Sequence, residues 1–248
     1  MGPILNVSTY RFVPVEDPTA LQAAVLQRAR DAALKGTVLI AEEGLNLALA
    51  GLEAPLRSVL KWLQADARFG HLPIKESFSE QVPFGKLLVK VKREIIRMNR
   101  PAIRPAAGRA PAVEARTLAR WLAQGRCDQG RPVVMLDTRN AFEVDAGAFE
   151  GAIDWRLGKF SDFPGQLEAH LDDLRDKTVV SYCTGGIRCE KAALVMQAAG
   201  LVHVHQLEGG ILRYFEDTGT APGWRGDCVV FDERSALRPD LSPAEHTA

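Results

Sequence analysis

Cysteine is scarce in this 248-residue chain, with only Cys127, Cys183, Cys189 and Cys228 and no Cys-x-x-Cys pair among them. Cysteines so few and so scattered make neither a disulfide framework nor a zinc knuckle, so any special cysteine here is special for its reactivity. Net charge is also missing. The 31 basic and 31 acidic residues cancel, so the field of the whole molecule attracts neither nucleic acid nor a membrane surface, and any such attraction must be local. Apolar residues make up 46% of the chain, but charges interrupt them every few positions and no run approaches the roughly 20 residues of a membrane helix. The opening "MGPILNVSTYRFV" has no basic lead followed by an apolar core, and Asn6 stands where a myristoylation signal needs Ser or Thr. These absences make a cytoplasmic protein with no membrane segment the expectation.

What is present is an alternation of strand-like and helix-like segments. "ILNVSTYRFV" (4–13) has the period of a strand, Asp17-Pro18 opens a helix that Gly36 closes, and "TVLIAEEGLNLALAG" gives two strands about a turn near Glu43-Gly44. "PLRSVLKWLQAD" supplies a second helix and "IKESFSE" a further strand. The order β-α-β-β-α-β predicts a ferredoxin-like α+β domain over 1–97, with helices on one sheet face and the other face left for a partner or ligand.

Residues 86–109 break the charge balance. They hold eight basic side chains against Glu94, a local charge of +7 on a body that is otherwise −7. A solvated strand and a basic linker would account for this; so would a phosphate-binding surface, for which Lys86, Lys90, Lys92, Arg93, Arg97 and Arg100 are the candidate contacts. Prolines at 101, 105 and 111 mark 98–112 as a linker.

Beyond it, "RPVVMLDTRN" and "KTVVSYC" are continuous apolar runs that suit buried parallel strands, separated and followed by amphipathic helices. The expectation is an α/β domain over 113–234 whose parallel sheet is covered by helices on both faces, followed by a flexible tail over 235–248. In such sheets, sites form beyond the carboxyl ends of strands. Cys183 stands at one such end, on a loop that opens a helix. The helix N-terminus and Arg188 both favour a thiolate, and Gly185 and Gly186 leave room for backbone N–H groups to turn toward an anion. A small apolar residue capping a buried strand is the plain structural use of such a cysteine.

"CTGGIR" (183–188) resembles the active loop of rhodanese domains, and "LDTRNAFEVDAGAFEGAI" (136–153) is similar to their upstream signature, with Asp137, Arg139, Glu143, Gly147 and Gly151 in place. Related phosphatases use a loop one residue longer. With "HQLEGGILRYFED", "DCVVFDER" and "AEEGLNLALAG" added, nearly the whole chain resembles the bacterial rhodanese-containing family that hydroxylates the wobble uridine of tRNA. The resemblance implies a ferredoxin-like (acylphosphatase-like) domain joined to a rhodanese domain. It implies conversion of uridine 34 to 5-hydroxyuridine with molecular oxygen as co-substrate, tRNA as partner, and no further cofactor or metal.

Uracil C5 is a poor nucleophile until something adds at C6, and a thiolate can add there. The expected catalytic residues are therefore Cys183 as nucleophile, with Arg188, Arg139 and the loop Thr184, Gly185, Gly186 and Ile187 stabilising negative charge. Asp137, Glu143 and Cys189 are supporting residues, Cys189 either as a resolving thiol or as a packed helical cysteine. Trp155, Tyr214 and Phe215 are candidates for base stacking or for core packing. A persulfide-carrying sulfurtransferase is the alternative; it would need only Cys183, its loop and a small thiol donor.

Overall fold

The computed structural model describes residues 3–244. The chain forms two compact units that divide after Arg97.

In the first unit, β1 (Ile4–Phe12), α1 (Pro18–Asp31), β2 (Lys35–Ala41), β3 (Gly44–Leu52), α2 (Glu53–Gln64) and β4 (Lys75–Ser79) follow the expected order, and β5 (Leu87–Val91) is added. The sheet order is β4-β1-β3-β2-β5, antiparallel except that β5 runs parallel to β2 at the edge. Alternation decides the faces. Leu5 and Val7 of β1 and Leu45, Leu47 and Leu49 of β3 join Leu21 and Val25 of α1 and Leu56, Leu60 and Leu63 of α2 in one core. Helix α1 starts where it does because Asp17 accepts from the Ala20 N–H at 2.8 Å and Pro18 fills the first turn. The opposite face carries small and polar residues such as Asn6, Ser8, Ala48 and Ala50. It is not wholly open, since Asn46 Nδ2 donates to the Ile95 carbonyl (3.2 Å) and the Ile95 N–H donates to Glu43 (2.7 Å). The chain after β5 is therefore tied to that sheet.

The second unit contains β6 (Ala112–Val113), α3 (Ala115–Gln124), β7 (Val133–Asp137), α4 (Ala141–Ala146), β8 (Gly147–Phe149), α5 (Phe163–His170), β9 (Thr178–Tyr182), α6 (Ile187–Ala198), β10 (Val204–Leu207) and α7 (Gly210–Thr218). Short strands β11 (Trp224–Gly226), β12 (Cys228–Val229) and β13 (Ala236–Leu237) complete it. The main sheet is parallel, in the order β6-β10-β9-β7. Strand β9 lies between β10 and β7 and every one of its residues is buried, which is why it reads as an unbroken apolar run in the sequence. Its core includes Val180, Tyr182, Phe149, Tyr214, Phe215 and Trp224, with the Phe149 ring edge-on to Tyr182, Tyr214 and Trp224. This assigns Tyr214 and Phe215 to packing.

The flexible tail expected from 235 onward needs correction in its described part. Ala236–Leu237 pair with Cys228–Val229, and the Ala244 N–H donates to the Ala236 carbonyl, so hydrogen bonding holds this stretch against β12. Residues 245–248 lie outside the described residues. Among the described residues no helix is long and apolar enough to cross a membrane.

Candidate active site

Strand β9 ends at Tyr182, and α6 begins five residues later at Ile187, so Cys183 sits beyond the carboxyl edge of the sheet at the foot of a helix N-terminus. Gly186 caps that helix with φ +96°, in the left-handed region where a side chain is strained. This conformation turns the Gly186 N–H onto Cys183 Sγ at 3.2 Å. A second glycine closes the loop from outside. Gly210 opens α7 at φ +72°, and a Cβ there would come within 2.5 Å of the Cys183 carbonyl oxygen and 2.7 Å of the Gly186 nitrogen. The next N–H groups continue the contact, Ile211 donating to Cys183 O (3.0 Å) and Leu212 to Thr184 O (3.2 Å). The role of Gly210 is to let α7 dock on the loop.

Cys183 and Cys189 are both fully buried and free. Burial alone would raise the Cys183 pKa, but the Cys189 thiol, the Arg188 charge and the Arg188 and Gly186 N–H groups outweigh it and hold Cys183 well below its ordinary value. Cys189 moves the other way. Burial raises it first, and its hydrogen bond and repulsion with the Cys183 sulfur raise it further, so it stays a thiol and donates. Thr138 Oγ1 lies 3.7 Å from Cys189 Sγ and donates to the Tyr182 carbonyl at 2.9 Å. Cys189 is thus packed on α6 and at the same time in contact with the Cys183 sulfur.

Glu143 organises the surrounding charge. It is buried on α4, and its carboxylate takes both terminal nitrogens of Arg188 at 2.6 and 2.7 Å, Thr184 Oγ1 at 3.4 Å and the Asn140 N–H at 3.0 Å. The last contact is half of a capping box that starts α4. Arg188 thus faces a carboxylate on one side and the Cys183 sulfur on the other, and both raise its pKa although burial opposes them.

Arg139 requires a correction. The sequence suggests that it stabilises charge on the reacting base, yet its guanidinium is fully buried. Asp137 binds it at 2.6 Å, the Gly147 carbonyl accepts at 2.6 Å and the Glu143 carbonyl at 3.2 Å. The rings of Tyr182 and Trp224 close over it, 5.6 and 5.3 Å from the guanidinium carbon. Arg139, held by Asp137, therefore braces the backbone of α4 at Glu143 and just past its C-terminus at Gly147, and so positions Glu143.

Two residues near the loop gave no sequence signal of their own. Cys228 is buried, with its thiol pushed up to about 12 by burial, and it interacts with Arg139, Thr184 and Cys183. Phe231 is 66% exposed, with Arg188 Cζ 6.0 Å from its ring centroid. Both belong to "DCVVFDER", whose spacing shows neither which strand it joins nor where that strand lies. Among the described residues, no group of three or more His, Cys, Asp or Glu side chains is gathered as a metal site would need.

The basic stripe is exposed at Lys86, Lys90, Lys92, Arg93, Arg97 and Arg100. Arg100 pairs loosely with Glu168 at 3.4 Å, and Arg109 pairs with Glu190 and Glu208. Lys86 through Arg97 belong to the first unit, and Arg100 and Arg109 to the second.

An α+β domain followed in the chain by a parallel α/β domain with a depressed thiol in a Cys-to-Arg loop defines a two-domain protein of the rhodanese type. Residues 118–217 match the Rhodanese-like domain, and residues 4–95 match the UPF0176 acylphosphatase like domain. Proteins named tRNA uridine(34) hydroxylase match over almost their full length. The Bordetella petrii protein is 61% identical over 98% of this chain and 96% of its own, and that of Bordetella avium is 59% identical over 97% and 99%. The Delftia acidovorans protein is 60% identical over 98% and 92%. The chain belongs to the tRNA uridine(34) hydroxylase family.

Proposed function

We propose that this chain hydroxylates C5 of uridine 34 in tRNA, giving 5-hydroxyuridine with molecular oxygen as co-substrate, and that it works in the cytoplasm. Near-full-length identity to proteins of that name, joined to a depressed thiol at Cys183, carries this reading.

Each residue near the loop has a task in the chemistry. The Cys183 thiolate adds to uracil C6, and the electron pair of the C5–C6 bond passes to C5 as an enolate over O4. Oxygen takes that pair and forms a C5–O bond. Two electrons and two protons from a pair of reductant thiols, which become a disulfide, together with one proton from solvent then cleave the O–O bond, leaving the hydroxyl on C5 and releasing water. Loss of the C5 proton expels the Cys183 sulfur from C6 and restores the double bond. A low thiol pKa serves both ends of this sequence, since the same sulfur is nucleophile and leaving group. Arg188 and the N–H groups of Gly186 and Arg188 hold the sulfur's negative charge before addition and after expulsion. Lys86, Lys90, Lys92, Arg93, Arg97 and Arg100 bind the tRNA backbone.

The test is mass spectrometry of tRNA nucleosides from a strain lacking this gene, complemented with the parent protein or with Cys183→Ser. Restoration of 5-hydroxyuridine by the parent alone is the expected result. Restoration by the serine protein would overturn the thiolate mechanism, and formation of thiocyanate and sulfite from thiosulfate and cyanide with no change in tRNA would favour a sulfurtransferase.

A further inference from the structure

We propose that Phe231 is the platform on which the uracil ring stacks at the mouth of the Cys183 loop, an inference that rests on the tRNA uridine reading above. A phenyl ring that is 66% exposed gains little from burial and presents a face to solvent that a flat ligand can cover. Its neighbour is informative. Arg188 Cζ lies 6.0 Å from the ring centroid, and this is the arginine that holds Glu143 and polarises the Cys183 sulfur. The ring therefore borders the nucleophile's own cation.

The backbone under Phe231 is fixed. β12 lies against the active loop, where Thr184 Oγ1 shares its proton between the Val229 carbonyl at 3.3 Å and Glu143, and is paired with β13. Between the strands, the Val230 N–H donates to Ser235 O at 2.9 Å and the Ser235 N–H to Asp232 O at 3.0 Å. The Arg234 guanidinium closes on Asp232 at 2.6 Å, with both side chains largely withdrawn from solvent. An exposed aromatic on so constrained a turn is already oriented, which suits a flat ligand whose reacting atom must meet a fixed sulfur.

A pyrimidine base is such a ligand. Proteins read unpaired nucleotides by stacking them on aromatic faces. Of the other aromatics of this unit, Tyr182, Tyr214 and Phe215 are buried in the core and Trp155 is stacked on His170 at 5.6 Å; Phe142 on α4 is also exposed, at 55%, but it is Phe231 whose ring borders Arg188.

The experiment uses the full chain with anticodon stem-loop RNAs that carry either uridine or an abasic site at position 34. Phe231→Leu keeps apolar bulk without a π face, and Phe231→Tyr restores the face. We expect the leucine protein to keep its thermal midpoint but to raise Kd for the uridine RNA by about tenfold, within the range of one stacked base, and to lower kcat/KM by at least as much. Tyrosine should recover most of the loss, and the abasic RNA should bind parent and leucine proteins alike. Equal Kd for the uridine RNA in parent and leucine proteins overturns the proposal. So does a leucine protein that retains RNA affinity but loses self-association in sedimentation, which would make the ring a contact between copies. The binding arm stands even if the parent forms no 5-hydroxyuridine, an outcome that refutes the hydroxylase reading alone.

Discussion

The Arg188 guanidinium meets the Glu143 carboxylate through two bonds, at 2.6 and 2.7 Å, with the glutamate side chain fully buried and the arginine nearly so. A pair withdrawn this far from water is costly to break from one side, because the remaining charge stays buried without compensation. Glu143→Ala should therefore destabilise the protein by roughly 3–5 kcal/mol in denaturant unfolding, and it also removes the cap of α4. Arg188→Lys is the milder test. An ammonium cannot present two parallel donors to Glu143 while facing the Cys183 sulfur, so hydroxylation should fall at least about tenfold while the protein still folds; near-parental activity in the lysine protein would reduce Arg188 to a general positive charge.

The contrast between Cys183 and Cys189 predicts a pH dependence. Cys183 is held well below the ordinary thiol value of 9.0, against its own burial, by the Cys189 thiol, Arg188 and two N–H groups. Its thiolate absorbance, measured as parent minus Cys183→Ser, should persist through neutral pH and titrate away only in acid. Cys189→Ala removes a donor, so the midpoint should move upward. The linkage has a definite sign. Because the folded value is depressed, the stability gained from the thiolate is complete above the unfolded thiol's pKa and is lost as pH falls toward the folded value. The stability difference between parent and serine proteins should shrink over that window, and a difference that grew on acidification would contradict the assignment.

Much of this was legible in the sequence for identifiable reasons. Strand β9 reads correctly because a parallel strand buried on both faces has no polar alternation to confuse it. Cys183 and Arg188 stand out as candidates because a helix terminus, two glycines and a cation coincide within a few residues. Arg139 misled because its spacing from Asp137 places it at a strand end without showing which way its fork turns; only the Gly147 and Glu143 carbonyls reveal that it points inward. Gly210, Cys228 and Phe231 were missed for a shared reason. Each reaches the loop from a distant part of the chain, and no local period encodes that approach.

Gly210 makes the point testable. Alanine there places a methyl within 2.5 Å of Cys183 O and 2.8 Å of Thr184 O, both backbone atoms, at φ +72°. Backbone cannot swing aside as a side chain does, so α7 must withdraw from the loop. Gly210→Ala should lower stability by at least about 1–3 kcal/mol and should raise the Cys183 pKa as the loop loosens. Gly185→Ala is the control, since nothing lies within 4 Å of a Cβ there and its φ is ordinary. A shared unfolding midpoint for the two alanine proteins would mean that the docking of α7 is not constrained as described.

The basic stripe is the feature whose function depends most on charge and least on geometry. Lys90, Lys92 and Arg93 are exposed at and just beyond the sheet-edge strand β5, on a protein whose remaining residues outside 86–109 are net negative. Among the described residues none of the three is ion-paired, so each is available to a phosphate. Reversing all three to glutamate should leave the fold intact, since no buried partner is lost, and should leave the Cys183 titration unchanged. Binding of tRNA should weaken severalfold or more at low salt. The diagnostic quantity is the slope of log affinity against log salt, because every phosphate contact removed also removes a counterion release. For three contacts the slope should flatten by roughly 2–3. Measuring tRNA affinity at several salt concentrations for parent and triple variant separates docking from a decorative charge cluster: loss of affinity with an unchanged slope would point to a local structural effect, and unchanged affinity with unchanged slope would mean that the tRNA backbone lies elsewhere.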